Sequence, residues 1–147
     1  MSEQTNDKCA RLFAKGDSCG AIVLRKTAGG TEVLMLSHGS RGWVFPKNRA
    51  NEGESETDAA KREVRESAGI EIEIVPGFRC ETGSGLKKDE RKMIYFLARP
   101  LSEVLTVFDP DHSAPAWQPV GEAEKLLRFP EDLPPLLAAL EFAETKA

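Results

Sequence analysis

"RANEGESETDAAKREVRESAGI", residues 49–70, joins a charged loop to a helix-forming stretch and decides the fold of this 147-residue chain. Ser55 with Asp58 three residues later is typical of a helix N-terminus, so a helix is predicted to begin near Glu56. Gly69 readily adopts the left-handed backbone that ends a helix, and the helix is expected to stop just before it. An apolar stripe at intervals of four is predicted to face the core, and its members are Ala60, Val64 and Ala68.

Two acidic side chains share one side of this helix. Glu63 and Glu66 lie three residues apart, and residues at that spacing are neighbours on a helix surface. Two ionised carboxylates about 5 Å apart repel each other by roughly 3 kcal/mol at an effective dielectric constant of ~20. Arg62 lies one turn before Glu66 and is expected to offset part of this repulsion. From charge alone, a solvated helix face is favoured over a cation site.

The wider spacing around the glutamates is similar to the Nudix box of nucleoside-diphosphate-linked-moiety hydrolases. That box reads Gly, five residues, Glu, seven residues, then Arg-Glu-apolar-x-Glu-Glu-x-Gly-apolar. Seven of its nine specified positions match here at the same spacing: Glu54, Arg62, Glu63, Val64, Glu66, Gly69 and Ile70. Asn48 replaces the first Gly and Ser67 replaces the last Glu. Because the spacing is fixed over the whole motif, the chain is identified as a member of the Nudix hydrolase family with a degenerate box.

This resemblance implies an α/β fold, a Nudix-type α/β/α sandwich with a mixed β-sheet. Short apolar runs predict strands at residues 19–25, 31–37, 70–75, 91–100 and, more weakly, 105–108. Two further helices are predicted at residues 121–129 and 134–143. The length fits one domain, so we expect a flexible lead-in over residues 1–17 and a single Nudix hydrolase domain over residues 18–147.

The resemblance also implies a metal site. Glu63 and Glu66 would bind Mg²⁺ or Mn²⁺, and Glu63 would also orient or deprotonate the attacking water. Carboxylates suit these hard cations, which neutralise a diphosphate so that water can approach phosphorus. Arg62 would brace the acids, and Glu54 would be bound into the loop. Ser67 removes a carboxylate that the family commonly uses, so weaker metal binding, manganese dependence and loss of hydrolysis are all open outcomes.

A downstream stretch, "FDPDHSAPAW" at residues 108–117, resembles the diadenosine tetraphosphate hydrolase branch of the family. In that branch an acid followed by His precedes a Trp, and Asp111 and His112 match these positions. Asp111 is the candidate for an extra metal ligand or catalytic base, with a plain surface acid as the alternative. His112 would contact phosphate or cap a turn. Pro115 stands where that branch has a Tyr that stacks on adenine.

Four more residues are candidates for substrate binding. Lys47 follows Pro46 where the family often has a Lys, and Arg91 and Lys92 open the predicted strand at residues 91–100. Cationic groups there would bind a polyphosphate through charge-assisted hydrogen bonds, although ordinary solvated cations remain the alternative. Trp43 would stack on a nucleobase.

These features predict metal-dependent hydrolysis of a phosphoanhydride bond in a nucleoside diphosphate-linked substrate, most notably a dinucleoside polyphosphate such as diadenosine tetraphosphate. Two alternatives stay open at this point. One is a diphosphoinositol polyphosphate phosphohydrolase. The other is a catalytically weakened Nudix protein that binds a nucleotide.

The composition of the chain excludes some classes of binding partner. A net charge of -4 argues against nucleic-acid binding, which depends on accumulated positive charge. No stretch is apolar enough to cross a membrane, and the three cysteines suggest no disulfide framework. We therefore expect a cytoplasmic monomer or homodimer that acts on a small nucleotide or polyphosphate.

Overall fold

The computed structural model describes residues 18–82, 93–108 and 114–146 of the chain. Within these ranges the strands are β1 (Ser18–Thr27), β2 (Gly30–Ser37), β3 (Trp43–Val44), β4 (Lys47–Arg49), β5 (Ile72–Thr82), β6 (Met93–Pro100) and β7 (Ala114–Pro119). The α-helices are α1 (Glu56–Ala68), α2 (Val120–Leu126) and α3 (Leu133–Lys146). Single 3-10 turns are formed by Gly39–Arg41 and Pro130–Asp132.

The charged helix α1 has the predicted bounds. At its start the Asp58 backbone N–H donates to Ser55 Oγ at 3.1 Å, which satisfies one of the free N–H groups of the first turn. At its end Gly69 has a φ of 77°, the left-handed conformation expected there. The predicted stripe of Ala60, Val64 and Ala68 is buried. Local capping signals and apolar periodicity were therefore sufficient to define this helix.

Strand β1 is central to a mixed sheet because three strands pair with it along its length. It pairs antiparallel with β2 and β4 and parallel with β6. The main path of the sheet is β3-β2-β1-β6-β5, and β7 pairs with β2. The predicted α/β/α sandwich with a mixed β-sheet is confirmed, because helices cover both faces of this sheet.

Alternating side chains of the sheet build two apolar cores. In β1 and β6, one set of side chains packs against α1, and it includes Cys19, Ala21, Val23, Ile94, Phe96 and Ala98. The set between them packs against α2 and α3, and it includes Ile22, Tyr95 and Leu97. Successive strand residues point to opposite faces, so a strand buried on both sides is apolar throughout. This explains why these strands appear in the sequence as continuous apolar runs.

Strand β4 lies unusually close to β1 at Gly20. A Cβ atom added at Gly20 would lie 2.2 Å from the Pro46 carbonyl oxygen and 2.7 Å from the Lys47 Cβ. The register pairs Gly20 with Lys47 and Cys19 with Asn48. A side chain at residue 20 would therefore push Lys47 and Asn48 away from the sheet.

Two strand predictions need correction, and two strands were not predicted. Residues 105–108 form no strand, because the Thr106 backbone N–H donates to the carbonyl of Ala68 at the end of α1 at 2.9 Å. The strand predicted at residues 70–75 begins two residues later, at Ile72, and the sequence GFRCET after Pro76 continues it as β5 with a shift in register. The short strand β4 and the strand β7 were not predicted. The expected lead-in over residues 1–17 lies outside the described residues.

In the described part of the chain, no helix combines the length and the apolarity needed to span a bilayer.

Gly69 and Gly53 allow a matched test of the end of α1. Both have a left-handed φ, of 77° and 81°, but only at Gly69 would an added Cβ be crowded, at 2.7 Å from Thr106. We expect Gly53→Ala to lower the free energy of unfolding by about 1 kcal/mol, and Gly69→Ala by about 2–4 kcal/mol. Urea denaturation measures both values. Equal losses would show that the contact with Thr106 does not constrain the helix end.

Candidate active site

Glu63 lies on α1 and is buried, with only 9% of its surface exposed. Burial is the main cause that raises the pKa of its carboxyl from 4.5 to about 7. A hydrogen bond from the Asn48 side chain opposes this shift, and the nearby Glu66 carboxylate reinforces it. A carboxyl group with a pKa near 7 in a helix of this kind is a candidate for proton transfer or cation binding.

Strand β4 directs two neighbouring side chains to opposite sides of the sheet. Asn48 hydrogen-bonds to Glu63 on the α1 side, and Lys47 points its Nζ to within 5.4 Å of the Phe129 ring centroid on the other side. Asn48 needs no left-handed backbone, because the described non-glycine residues all have negative φ. Its replacement of the family's Gly therefore adds a side-chain contact to Glu63.

Arg62 joins the box loop to the helix. Its Nε donates to Glu54 Oε2 at 2.9 Å, and one terminal nitrogen donates to the Arg49 carbonyl at 2.8 Å. The other terminal nitrogen donates to Glu66 Oε1 at 3.0 Å. Glu54 also accepts a hydrogen bond of 2.7 Å from the backbone N–H of Asn51. The loop and both flanking acids are thus held by one guanidinium group.

Ser67 directs its hydroxyl group to the helix backbone. Its Oγ donates to the Glu63 carbonyl oxygen at 2.7 Å. Such a bond to the residue four positions earlier is common for Ser in helices and keeps the side chain close to the helix. Ser67 therefore adds no negative charge next to Glu63, and the helical part of the box has two carboxylates where the family pattern has three.

Two residues that were not predicted as site residues lie beside Lys47. Phe129 has the Lys47 ammonium 5.4 Å from its ring centroid and the Arg128 guanidinium 4.9 Å from it. Arg128 is exposed, and its backbone N–H donates to the Trp43 carbonyl at 2.9 Å. They were missed because they follow α2, some eighty residues downstream of Lys47.

Of the remaining predicted site residues, Trp43 lies in the described part of the chain. Trp43 is half-buried and packs against the core on the α2 and α3 side, so its stacking role stays a prediction. Pro115 is buried in β7. Four candidates lie outside the described residues, and they are Arg91, Lys92, Asp111 and His112.

The described carboxylates fit a divalent cation that is shared with a substrate. Mg²⁺ usually keeps several waters and takes one or two protein carboxylates together with phosphate oxygens. Glu63 and Glu66 would supply such a pair, and Glu66 would bind the cation as well as Arg62. No group of three or more potential His, Cys, Asp or Glu ligands occurs in the ranges that the structure describes. The described side chains alone therefore do not form a complete metal site.

Known proteins share this architecture. Residues 15–140 match the family model described as NUDIX domain. The chain is 32% identical over 126 residues to bis(5'-nucleosyl)-tetraphosphatase (asymmetrical) of Mus musculus, covering 78% of this chain and 86% of that protein. The protein of the same name from Sus scrofa is 32% identical over 124 residues, covering 76% and 84%. A C. elegans Ap4A hydrolase in a binary complex has a TM-score of 0.76 at 24% identity, covering 88% of this chain and 98% of that one.

The family match and these relatives show that the chain is a pyrophosphohydrolase. The sandwich fold and the glutamates of α1 agree with this class of enzyme. The chain belongs to the Nudix family. Members of this family generally use divalent metal ions. The extent of the domain over residues 18–147 stays a prediction.

The raised pKa of Glu63 predicts how stability depends on pH without metal. The pKa is about 7 in the folded protein and 4.5 as the reference, so the folded state binds more protons between these values. The free energy of unfolding should therefore decrease as pH rises from about 4.5 to 7. Thermal unfolding in a chelating buffer, compared with Glu63→Gln, measures this contribution. An identical pH dependence in both proteins would contradict it.

Proposed function

We propose that this chain hydrolyses a phosphoanhydride bond of a dinucleoside polyphosphate such as diadenosine tetraphosphate, with Mg²⁺ or Mn²⁺ as cofactor. The mouse and pig relatives are named bis(5'-nucleosyl)-tetraphosphatase, which supports this substrate class. The observation that carries the proposal is the buried Glu63 on a helix that also presents Glu66. Paired carboxylates of this kind suit cation-assisted attack of water on a diphosphate.

Glu63 would have one of two roles. A base with a pKa near 7 accepts a proton from water efficiently at neutral pH, so Glu63 suits the activation of the attacking water. As a ligand it would instead bind the cation with Glu66. The cation, when bound, supplies positive charge to the phosphate oxygens and so favours attack at phosphorus.

Substrate phosphates would be bound by cations on the other side of β4. Lys47 and Arg128 flank Phe129, and their ammonium and guanidinium groups suit charge-assisted hydrogen bonds to a polyphosphate. The roles of the remaining candidates belong to the same proposal: Trp43, Arg91, Lys92, Asp111 and His112. Asp111 would supply a further carboxylate to the cation or act as the base.

A substrate panel tests this function. Dinucleoside polyphosphates, nucleoside diphosphate derivatives and diphosphoinositol polyphosphates are each incubated with Mg²⁺ or Mn²⁺, and products are separated by chromatography. We expect dinucleoside polyphosphates to be cleaved fastest, and Glu63→Gln to lower kcat by about 10²- to 10⁴-fold because it removes the proton acceptor or ligand.

Glu73→Gln is the matched control for that loss. Glu73 is an exposed glutamate on β5 that pairs with Arg99, away from α1, so its substitution should leave kcat unchanged. Faster cleavage of diphosphoinositol polyphosphates would reject the proposed substrate. Full activity of Glu63→Gln would reject the assignment of Glu63.

Ser67→Glu tests whether the missing family carboxylate limits metal binding. A third carboxylate one turn after Glu63 adds ligand charge, so the affinity for Mn²⁺ should rise by about tenfold or more. Isothermal titration of the substrate-free protein with Mn²⁺ measures the affinity. Ser67→Gln is the control, because it has the same shape without the charge and also loses the bond to the Glu63 carbonyl. Equal Mn²⁺ affinities in the two variants would show that residue 67 does not face the cation.

A further inference from the structure

A second buried carboxylate lies on the side of the sheet away from α1. Asp132 ends the 3-10 turn that precedes α3, and only 2% of its surface is exposed. The hydroxyl group of the buried Tyr95 donates to Asp132 Oδ1 at 2.9 Å. The other oxygen, Oδ2, is buried without a hydrogen-bond partner. Such an unsatisfied group is unfavourable in a folded protein, so its presence requires an explanation.

The sheet register places a cation near this carboxylate. Tyr95 on β6 pairs with Gly20 on β1, and Gly20 pairs with Lys47 on β4. Directly paired residues project from the same face of a sheet, so Tyr95 and Lys47 share a face with only a glycine between them. The Lys47 side chain thus extends over the same face as the Tyr95–Asp132 hydrogen bond, next to Phe129.

Among the charged groups nearby, Asp132 has the largest effect on the pKa of Lys47, and Lys47 has the largest effect on the pKa of Asp132. Burial lowers the pKa of Lys47, and the Asp132 carboxylate is the strongest charge that opposes this shift. Arg128 lowers the pKa of Lys47 further, whereas Glu63 and Glu131 raise it. Burial likewise raises the pKa of Asp132, and Lys47 is the strongest opposing influence. Each group is therefore the main counter-charge of the other.

We propose that Asp132 is a positioning residue of the active site, which keeps the Lys47 ammonium charged and held along the α3 face for the substrate's phosphates. This rests on the phosphate-binding role proposed above for Lys47. A buried ammonium without a counter-charge tends to lose its proton, and a neutral amine is a weak phosphate ligand. Asp132 supplies this counter-charge without its Oδ2 accepting a hydrogen bond, so the ammonium donors stay available to phosphate.

A double-mutant cycle on the full-length protein tests the proposal. Asp132→Asn keeps the shape and still accepts from Tyr95, but it removes the charge. We expect it to weaken binding of inorganic tripolyphosphate by about fivefold or more, and to raise KM for the substrate with kcat within about twofold. In a Lys47→Met background, Asp132→Asn should have no further effect. Lys47→Arg should restore affinity to Asp132→Asn, because a guanidinium group stays charged when buried.

The controls separate this role from a structural one. Tyr95→Phe removes the hydrogen bond but keeps the Asp132 charge, so its tripolyphosphate affinity should stay within about twofold of wild type. If Asp132→Asn does not fold, the cycle is run with Tyr95→Phe/Asp132→Leu, which replaces both partners with apolar groups. Tighter tripolyphosphate binding without the Asp132 charge, or the same loss with and without Lys47, overturns the proposal. Because tripolyphosphate binding requires no hydrolysis, either result is distinct from failure of the substrate panel.

Discussion

The close contact between β4 and β1 at Gly20 is the constraint on which the site depends. A side chain at residue 20 would overlap the Pro46 carbonyl and the Lys47 Cβ, so only glycine lets β4 pair at this distance. That pairing sets the two faces of β4, with Asn48 next to Glu63 on one side and Lys47 near Phe129 on the other. The absence of a side chain at residue 20 therefore sets the positions of both Asn48, next to Glu63, and Lys47.

Burial then determines the chemistry of Glu63. A carboxylate on an exposed helix face would be fully ionised at neutral pH and would not hold a proton. Removal of Glu63 from solvent raises its pKa to about 7, and the negative charge of Glu66 adds to this effect. A bound cation would reverse the balance, because it favours the ionised carboxylate. The same burial that disfavours a bare charge thus makes this position receptive to a divalent ion.

Arg62 holds the loop and the helix in a fixed relation. Its guanidinium group contacts Glu54, Glu66 and the Arg49 carbonyl, and these three partners lie before and within α1. A planar group with donors on several sides suits this task in a way that a lysine ammonium does not. Since Glu66 is exposed while Glu54 is largely covered, the stronger part of this network lies on the loop side.

The sequence by itself determined the family, the α/β/α sandwich and the bounds of α1, because caps, apolar periodicity and motif spacing are local properties of the chain. It also predicted, through the spacing of the box, that Glu63 and Glu66 bind the metal ion. Only the tertiary structure decided that Glu63 is buried, that the Ser67 hydroxyl bonds to the backbone, and that Arg128, Phe129 and Asp132 lie near Lys47. The Ser67 bond is local and reaches only four residues back along the helix. The surroundings of Lys47, in contrast, depend on contacts with residues some eighty positions downstream, and no local pattern encodes such contacts. The short strand β4 was missed for the same reason, since its pairing depends on a glycine in another strand.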